Sequence, residues 1–404
     1  MNSVKLTKID ITNYRSCVST TFEPTQTLSA LIGPNGSGKT TILSAIQLLL
    51  KLHSNYHRRR NSEHHSSDSV INATFKWKGK SVYYQAQISL VNNERNEDEI
   101  IAANESWTFP SLSGNRKKLN LPLSAITEES RFSEKPFRET MLGYITHNIG
   151  NPDASPLIME AIGAISQFIS TISYYSASIF TNPSSSPISF EVEEIMVRRT
   201  MTASGHRKFL FDLYTAHRDQ TEDYQDYCAI VGADGLNLID RIEFHAIETS
   251  SSIYKVSVGG RITTREKKNN LIIPNFIIFG NSLSPSQLSE GTFKALALIF
   301  YVMTNHGSML LIEEPEVCVH HGLLSSIVEL IQTYSREKQI VISTHSDQLL
   351  DHIPVESVFK TLRSEETTTV SNIKKDMDPE ELSALRNYLK NEGGLGQYWK
   401  HGEL

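Results

Sequence analysis

The sequence contains few cysteines, and they lie far apart. Cys17, Cys228 and Cys318 are the only three among 404 residues, and they form no C-x-x-C pair. A disulfide scaffold or a cysteine-based zinc site needs more cysteines at closer spacing, so both are excluded. Such sparse usage is typical of a protein from the reducing cytosol.

Long hydrophobic runs are also missing. The longest apolar stretches, 271–279 and 295–303, are well short of the roughly 18–20 residues that a membrane-spanning helix needs. The first residues lack the continuous apolar segment of a secretory signal. A hydrophobic content of 39% with 21% charged residues is ordinary for a globular chain. We therefore expect a soluble cytoplasmic protein without a membrane partner.

The chain has no excess of positive charge and no heptad repeat. The 39 Lys and Arg residues are outnumbered by 45 Asp and Glu, which gives a net charge of −6. Contact with DNA would therefore need a partner or a local patch such as segment 53–65, which reads HSNYHRRRNSEHH. A solvated loop is the simplest interpretation of that segment, while DNA contact and metal binding by its histidines remain open. The missing heptads exclude a long coiled coil.

The strongest motif is a glycine-rich loop at residues 33–40. Its sequence, GPNGSGKT, fits G-x-x-x-x-G-K-[ST] at every fixed position, after a short apolar strand and before a predicted helix. Such a loop points backbone N–H groups at phosphate oxygens, and the helix N-terminus adds positive potential. Lys39 would pair with the β- and γ-phosphates, and the Thr40 hydroxyl would hold Mg²⁺. The residues predicted to bind the nucleotide here are Asn35, Gly36, Ser37, Gly38, Lys39, Thr40 and Thr41.

A second motif is an apolar strand that ends in two acids. Residues 309–315 read MLLIEEP. We predict that Glu313 lies beside the Mg²⁺ and accepts hydrogen bonds from metal-bound water, while Glu314 polarises the attacking water. Side chains alternate along a strand, so the two carboxylates can point apart and divide these roles. The plainer alternative is a strand that runs into a solvated acidic turn.

Two further features stand in a fixed order around the acid pair. The segment QLSEGT, residues 287–292, precedes a predicted helix, and Ser289 is well suited to cap it. The segment VISTHS, residues 341–346, reads as a strand that ends near His345. A capping serine or a histidine at a strand end is common in proteins of any function. These two indicate a functional site only because of their order and spacing around the acid pair.

Together these motifs resemble the ATP-binding-cassette (ABC) ATPase head of the SMC/RecF/OLD class. LSEGT resembles its LSGGQ-type signature, and STHS resembles its switch-histidine strand. The start is similar too, because the first strand runs into Asn13-Tyr14-Arg15-Ser16 where N-[FY]-R-S is usual. YYSAS at 174–178 is a weaker match, and the end, GLGQYWKHGEL, is similar to the tails of bacterial OLD-like ATPases.

The resemblance implies a fold and a mechanism. The fold would be an α/β P-loop NTPase of the ABC-ATPase-head type, whose mixed sheet has an antiparallel N-terminal part and helical insertions. ATP and Mg²⁺ would be sandwiched between the heads of a homodimer or larger homo-oligomer. Ser289 and Gly291 would serve the partner's nucleotide, and Glu314 would be the general base. His345 would contact the γ-phosphate, and Arg15 and Ser16 would hold the nucleotide near its phosphates.

The sequence departs from this family pattern in a few places. Glu290 and Thr292 replace the Gly and Gln of the signature, and Glu313 replaces the commoner Asp. The glutamine that senses Mg²⁺ in such heads cannot be placed, with Gln85 and Gln87 as candidates. These departures are compatible with a slow ATPase.

The predicted domain organisation is a single head that is split by insertions. The expected segments are the N-terminal lobe with the phosphate loop (1–110), a helical insert (111–173), a return to the head (174–190), a second, mostly helical insert (191–240), the lobe with the signature and carboxylate pair (241–365), and a C-terminal helix and tail (366–404).

Comparison with known classes of ATPase narrows the range of possible functions. The stretch between Thr40 and Met309 is far longer than a transporter cassette needs, and the residues after His345 are too few for a nuclease domain of roughly 100 residues. The closest resemblance is to stand-alone OLD-like ATPases of anti-phage systems such as Septu and PARIS. It implies an ATPase that regulates a separate effector, most simply a nuclease. The alternative is a DNA-repair or DNA-clamping ATPase of the RecF/SMC class.

Overall fold

The computed structural model describes residues 4–54, 68–92, 98–110, 116–121, 156–193, 205–256, 262–317 and 319–400. Most of segment 53–65, which was interpreted as a solvated loop, and much of the predicted helical insert at 111–173 lie outside these residues. The chain divides into two compact units. The first unit comprises Met1–Tyr175, His306–Pro315 and Val328–Leu404, and the second comprises Ser176–Asn305 and Glu316–Ile327.

The first unit contains an antiparallel sheet. Its strands are β1 (Lys5–Tyr14), β2 (Cys17–Phe22), β4 (Ser69–Trp77), β5 (Lys80–Asn92), β6 (Asp98–Pro110) and β7 (Arg116–Leu121), in the order β2-β1-β4-β5-β6-β7. Along β4, buried side chains alternate with more exposed ones, as expected when one face of a sheet covers a core. β4 and β5 form a hairpin with Lys78 and Gly79 at its turn, both at positive φ.

A second, mostly parallel sheet completes this unit. Its strands are β3 (Leu28–Ile32), β8 (Ile172–Ser176), β13 (Met309–Glu313), β14 (Gln339–Ser343), β15 (Val358–Arg363) and β16 (Thr368–Asn372), in the order β16-β15-β3-β14-β13-β8. β3 and β14 are parallel neighbours, and every residue of both is buried. Continuous burial of this kind is typical of central parallel strands.

Helices pack on these sheets. Those described in the first unit are α1 (Lys39–Ser54), α2 (Pro156–Ser170), α7 (Asp347–Leu350), α8 (Ile373–Asp376), α9 (Pro379–Asn391) and α10 (Leu395–Lys400). Of α6 (His321–Tyr334), residues 321–327 are assigned to the second unit and residues 328–334 to the first. Ile42 and Ile46 of α1 share one buried cluster with Ile9 of β1 and Val341 of β14. Each such side chain stabilises the fold by about 1.5–3 kcal/mol. The start of α1, and with it the glycine-rich loop, is therefore fixed by the core.

Among the residues that the structure describes, the second unit contains a small sheet, three complete α-helices and the start of α6. Its elements are β9 (Phe190–Glu193), β10 (Arg241–Val256), β11 (Ile262–Ile278), β12 (Asn281–Leu283), α3 (His206–Arg218), α4 (Glu222–Val231) and α5 (Glu290–Thr304). Phe209 of α3 makes edge-to-face contacts with Phe293 and Phe300 of α5, at ring-centre distances of 5.4 and 5.7 Å. Aromatic packing therefore holds the long buried helix α5 in place.

The predicted fold class is confirmed, since an antiparallel N-terminal sheet accompanies a parallel sheet with the glycine-rich loop between β3 and α1. The first of two local predictions that differ from the structure concerns the start of the second predicted insert. The segment from Phe190 onward was expected to be mostly helical, but it begins with β9, which pairs with 269–272 of β11. That strand depends on a partner almost 80 residues away, and such pairing leaves little local signal.

Candidate functional site

The glycine-rich loop has a backbone that only glycine adopts easily. Gly33, Gly36 and Gly38 have φ angles of 150°, 76° and 106°. A Cβ at Gly38 would lie 2.4 Å from the Thr368 Oγ1, so a side chain there would collide with β16. A Cβ at Gly36 would meet no atom within 4 Å. The loop is thus packed against the protein at Gly38 and open at Gly36.

Lys39 turns back into this loop. Its Nζ donates hydrogen bonds to the carbonyl oxygens of Gly33 at 2.9 Å and Pro34 at 3.1 Å, and the residue is 5% exposed. Ser37 Oγ is buried beneath the loop with no hydrogen-bond partner among the described residues. A buried ammonium group and an unsatisfied hydroxyl under a curled backbone fit an anionic, phosphate-bearing ligand.

A cluster of oxygen atoms lies at the start of α1. The Thr40 hydroxyl donates a hydrogen bond to Glu313 Oε1, and the Tyr174 hydroxyl donates one to Glu313 Oε2. Glu313 ends β13, and Tyr174 lies on the adjacent strand β8. Hydroxyl and carboxylate oxygens are the ligands that Mg²⁺ prefers, so Thr40 and Glu313 fit the metal that accompanies a nucleotide.

Glu314 adopts an unusual backbone conformation. Its φ is +48°, and its N–H donates to the Ser343 carbonyl oxygen at 2.9 Å. A non-glycine residue in this region costs about 1–3 kcal/mol, and such residues are concentrated at functional sites. Its Oε1 lies 3.9 Å from the Nε2 of His345.

His345 follows β14 by two residues, as the sequence pattern predicted. Burial and the positive charge of Lys39 lower the pKa of His345, and the carboxylate of Glu314 raises it by less. The imidazole is therefore neutral at pH 7 and can donate one hydrogen bond and accept another.

The turn between β1 and β2 places Arg15 and Ser16 beside α1. The Arg15 guanidinium donates to Ser44 Oγ at 3.3 Å. Ser16 Oγ donates to Thr41 Oγ1 at 3.2 Å and accepts from Thr368 Oγ1 at 3.1 Å. This turn thus connects the first helix with the C-terminal hairpin β15–β16.

These groups surround one cavity of about 470 Å³ in the first unit. Its lining residues are Arg15, Ser16, Asn35, Gly36, Gly38, Lys39, Thr40, Thr41, Glu314, His345 and Arg363. The volume is in the range of small-molecule sites, about 300–1,000 Å³. Arg363 did not emerge from the sequence because it belongs to no motif. Its place on the cavity depends on the pairing of β15 with β3.

Other predicted site residues lie elsewhere. Ser289 and Gly291 belong to the second unit, where Ser289 caps α5 as expected and accepts a hydrogen bond from the Thr292 N–H at 3.1 Å. Gln85 and Gln87 are exposed on β5, and neither lines the cavity. Among the described residues, no helix is long and apolar enough to cross a membrane.

Comparison with known proteins gives two family matches. Residues 4–141 match the family AAA_15, described as "AAA ATPase domain". Residues 168–351 match the family AAA_21, described as "AAA domain, putative AbiEii toxin, Type IV TA system". The first match contains the glycine-rich loop, and the second contains the acid pair and His345.

Individual relatives match more weakly. The DNA replication and repair protein RecF of Marinomonas sp. (strain MWYL1) is 37% identical over 67 residues, which is 16% of this chain and 18% of RecF. The SMC head domain from Thermotoga maritima is 11% identical, with a TM-score of 0.43 over 91% of this chain and 98% of that one. An SMC head bound to the C-winged helix domain of ScpA is 13% identical, with a TM-score of 0.46 over 92% and 100%. Because both TM-scores are below 0.5, these two structures support no argument about function.

The family matches and the geometry agree on one point. The glycine-rich loop and Glu314 line one cavity, and Glu313 is hydrogen-bonded to Thr40 at its edge. These residues fall within two stretches that match ATPase domains. The chain therefore has the fold class of a P-loop NTPase, and two of its stretches are similar to AAA ATPase domains.

Proposed function

We propose that this protein binds ATP with Mg²⁺ and hydrolyses it. The observation that carries the proposal is the convergence of Lys39, Thr40, Glu314 and His345 on one cavity. The two ATPase-domain matches support it. Each of these side chains suits a separate requirement of phosphoryl transfer to water.

The roles follow from the contacts of each group. Lys39 binds the β- and γ-phosphates, exchanging carbonyl partners for phosphate oxygens. Thr40 and Glu313 hold the metal ion, which neutralises charge on the phosphates. Glu314, which lines the cavity, orients the attacking water and takes its proton. The neutral His345, near Glu314, donates a hydrogen bond to the γ-phosphate.

Two protomers sandwich the nucleotide in this proposal. Ser289 and Gly291 lie at the N-terminus of α5, a helix of 15 residues whose first turn carries N–H groups suited to a phosphate. The similarity of LSEGT to an ABC signature supports their action on the partner's ATP.

We further propose that nucleotide state controls a separate effector, a nuclease, in bacterial anti-phage defence. The resemblance of the motifs and the tail to stand-alone OLD-like ATPases supports this role. The description of the second matched family as a "putative AbiEii toxin, Type IV TA system" is in keeping with a conflict-related system.

A DNA-repair or DNA-clamping ATPase is a second candidate, with at least equal support. The specific observation in its favour is the 37% identity to RecF over 67 residues. ATP-dependent binding of duplex DNA by the purified chain would favour this candidate. A nuclease gene adjacent to that of the chain, and ATP-dependent association of the two products, would favour defence.

Replacement of Lys39 tests the shared core of both candidates. Lys39→Ala should abolish binding of a fluorescent ATP analogue and all hydrolysis, because the phosphates lose their buried positive partner. Lys390→Ala, which removes an exposed lysine from α9, is the matched control and should behave as wild type. Wild-type affinity and turnover in Lys39→Ala would refute the proposal.

A further inference from the structure

The carboxylate of Glu313 is held from two sides. Thr40 donates to one oxygen from the start of α1, and Tyr174 donates to the other from β8. A carboxylate at a strand end would otherwise rotate about its last side-chain bonds. The two donors together fix which oxygen faces Thr40.

Tyr174 is itself held in place by packing. Its ring is partly buried and packs against the hydrophobic core cluster of the first unit. β8 is a direct neighbour of β13, so the phenol approaches Glu313 from the adjacent strand. A rigid ring with a single donor hydroxyl is suited to orienting a neighbouring group.

We propose that Tyr174 is a positioning residue for the metal site. By holding Oε2 of Glu313, it keeps Oε1 directed at Thr40, so that the oxygens that receive Mg²⁺ are arranged before the metal arrives. Outer contacts of this kind typically change metal affinity or activity by about 10–100-fold when they are removed. This inference rests on the proposed function, because it assumes that Mg²⁺ binds between Thr40 and Glu313 together with a nucleotide.

A purely structural role for Tyr174 makes a different prediction. If the hydrogen bond only secured the edge of the sheet, its loss would lower the unfolding temperature and leave the Mg²⁺ requirement unchanged. The dependence of nucleotide binding on Mg²⁺ therefore separates the two roles, and it can be measured without turnover.

The experiment compares Tyr174→Phe with Tyr83→Phe. Each variant loses one phenolic oxygen, and Tyr83 is a partly exposed residue of β5 that does not line the cavity. Binding of a fluorescent ADP analogue is titrated with Mg²⁺ and repeated in EDTA. In Tyr174→Phe we expect the half-saturating Mg²⁺ concentration to rise about tenfold, with affinity in EDTA unchanged. Tyr83→Phe should match wild type.

The outcomes separate the inference from the proposed function. Failure of the wild type to bind the nucleotide with Mg²⁺ would refute the proposed function. A normal wild type together with an unchanged Mg²⁺ requirement in Tyr174→Phe would overturn only the role of Tyr174. An equal loss of affinity in EDTA would also overturn it, because the substitution would then have distorted the whole cavity. Circular dichroism confirms that each variant is folded.

Discussion

Glu313 and Glu314 are adjacent, yet their backbones differ. The sequence predicted that strand alternation would point the two carboxylates apart. In the structure β13 ends at Glu313, and Glu314 has a left-handed backbone conformation, so the alternation of a strand does not extend to Glu314. A local pattern identifies the acid pair, but it contains no sign of a positive φ at a glutamate. The glycine-rich loop is different. Glycine is the residue that readily adopts a positive φ, so the glycines in the sequence already indicate where such conformations occur.

Two residues near the candidate site received no role from the sequence, and the reason is the same for both. Arg363 lies at the cavity because β15 pairs with β3, and Tyr174 lies beside Glu313 because β8 is the neighbour of β13. Each pairing joins segments that are far apart in the sequence. Arg363 belongs to no motif, and Tyr174 lies in the segment YYSAS, whose weaker match to the ABC-ATPase head gave this residue no role. Motifs therefore predicted the phosphate and metal groups, whereas the groups supplied by neighbouring strands required the structure.

Arg363→Ala should weaken nucleotide binding about fivefold without abolishing it. The guanidinium is exposed at the cavity, so its attraction to an anionic ligand is screened by water and is weaker than that of the buried Lys39. Equilibrium titration with a fluorescent nucleotide gives the affinity. Arg386→Ala, an exposed position on α9, is the control, and equal affinity in both variants would contradict a role for Arg363.

At the scale of elements, local patterns predicted most of the helices and strands around the motifs. The C-terminal part was predicted only as a helix and tail, but it begins with β16, which pairs with β15. Thr367, at the turn of this hairpin, accepts hydrogen bonds from the N–H groups of Val18 and Ser19. The hairpin owes its place to these contacts with the N-terminal strands, which no local pattern encodes.

The tail helix α10 packs closely on α7, the short helix that follows His345. The Gly396 N–H donates to Asp351 Oδ1 at 2.7 Å, and a Cβ at Gly396 would lie 1.8 Å from the Asp347 carbonyl oxygen. Gly396→Ala should therefore displace α10 and lower the free energy of unfolding by about 1–3 kcal/mol. Denaturant unfolding measures the change, and faster proteolysis of the C-terminus should accompany it.

Gly163→Ala is the matched control. Gly163 lies within α2, and an added Cβ there meets no atom within 4 Å. Alanine also has the higher helix propensity, so this variant should be more stable by about 0.5–1 kcal/mol. A similar small gain in Gly396→Ala would show that α10 does not depend on this close approach.

At the scale of the whole molecule, the proposed dimer is the main consequence to test. Glu314→Gln removes the proposed general base but leaves the phosphate loop intact, so ATP should bind, persist and hold two protomers together. Light scattering should give about twice the monomer mass of 45.4 kDa with ATP and Mg²⁺. With ADP the variant should remain monomeric.

A second substitution tests the geometry of that dimer. Ser289→Arg, made in the Glu314→Gln protein, should leave ATP binding unchanged and prevent dimerisation, since Ser289 is proposed to serve the partner's nucleotide. A monomer in Glu314→Gln with saturating ATP would contradict the sandwich arrangement. Undiminished dimerisation with the added arginine would place the contact elsewhere.

The backbone passes from the first unit to the second at two places that are close in sequence to residues of the candidate site. The chain leaves the first unit after Tyr175 and again after Pro315, and each exit lies one residue beyond a site residue, Tyr174 or Glu314. Tyr174 and Glu314 are therefore each only a few covalent bonds from the residue at which the chain passes to the second unit. At the second exit the proline ring restricts φ, which makes that connection stiffer. The covalent path from the candidate site to the unit that carries Ser289 is thus short at two separate places in the chain.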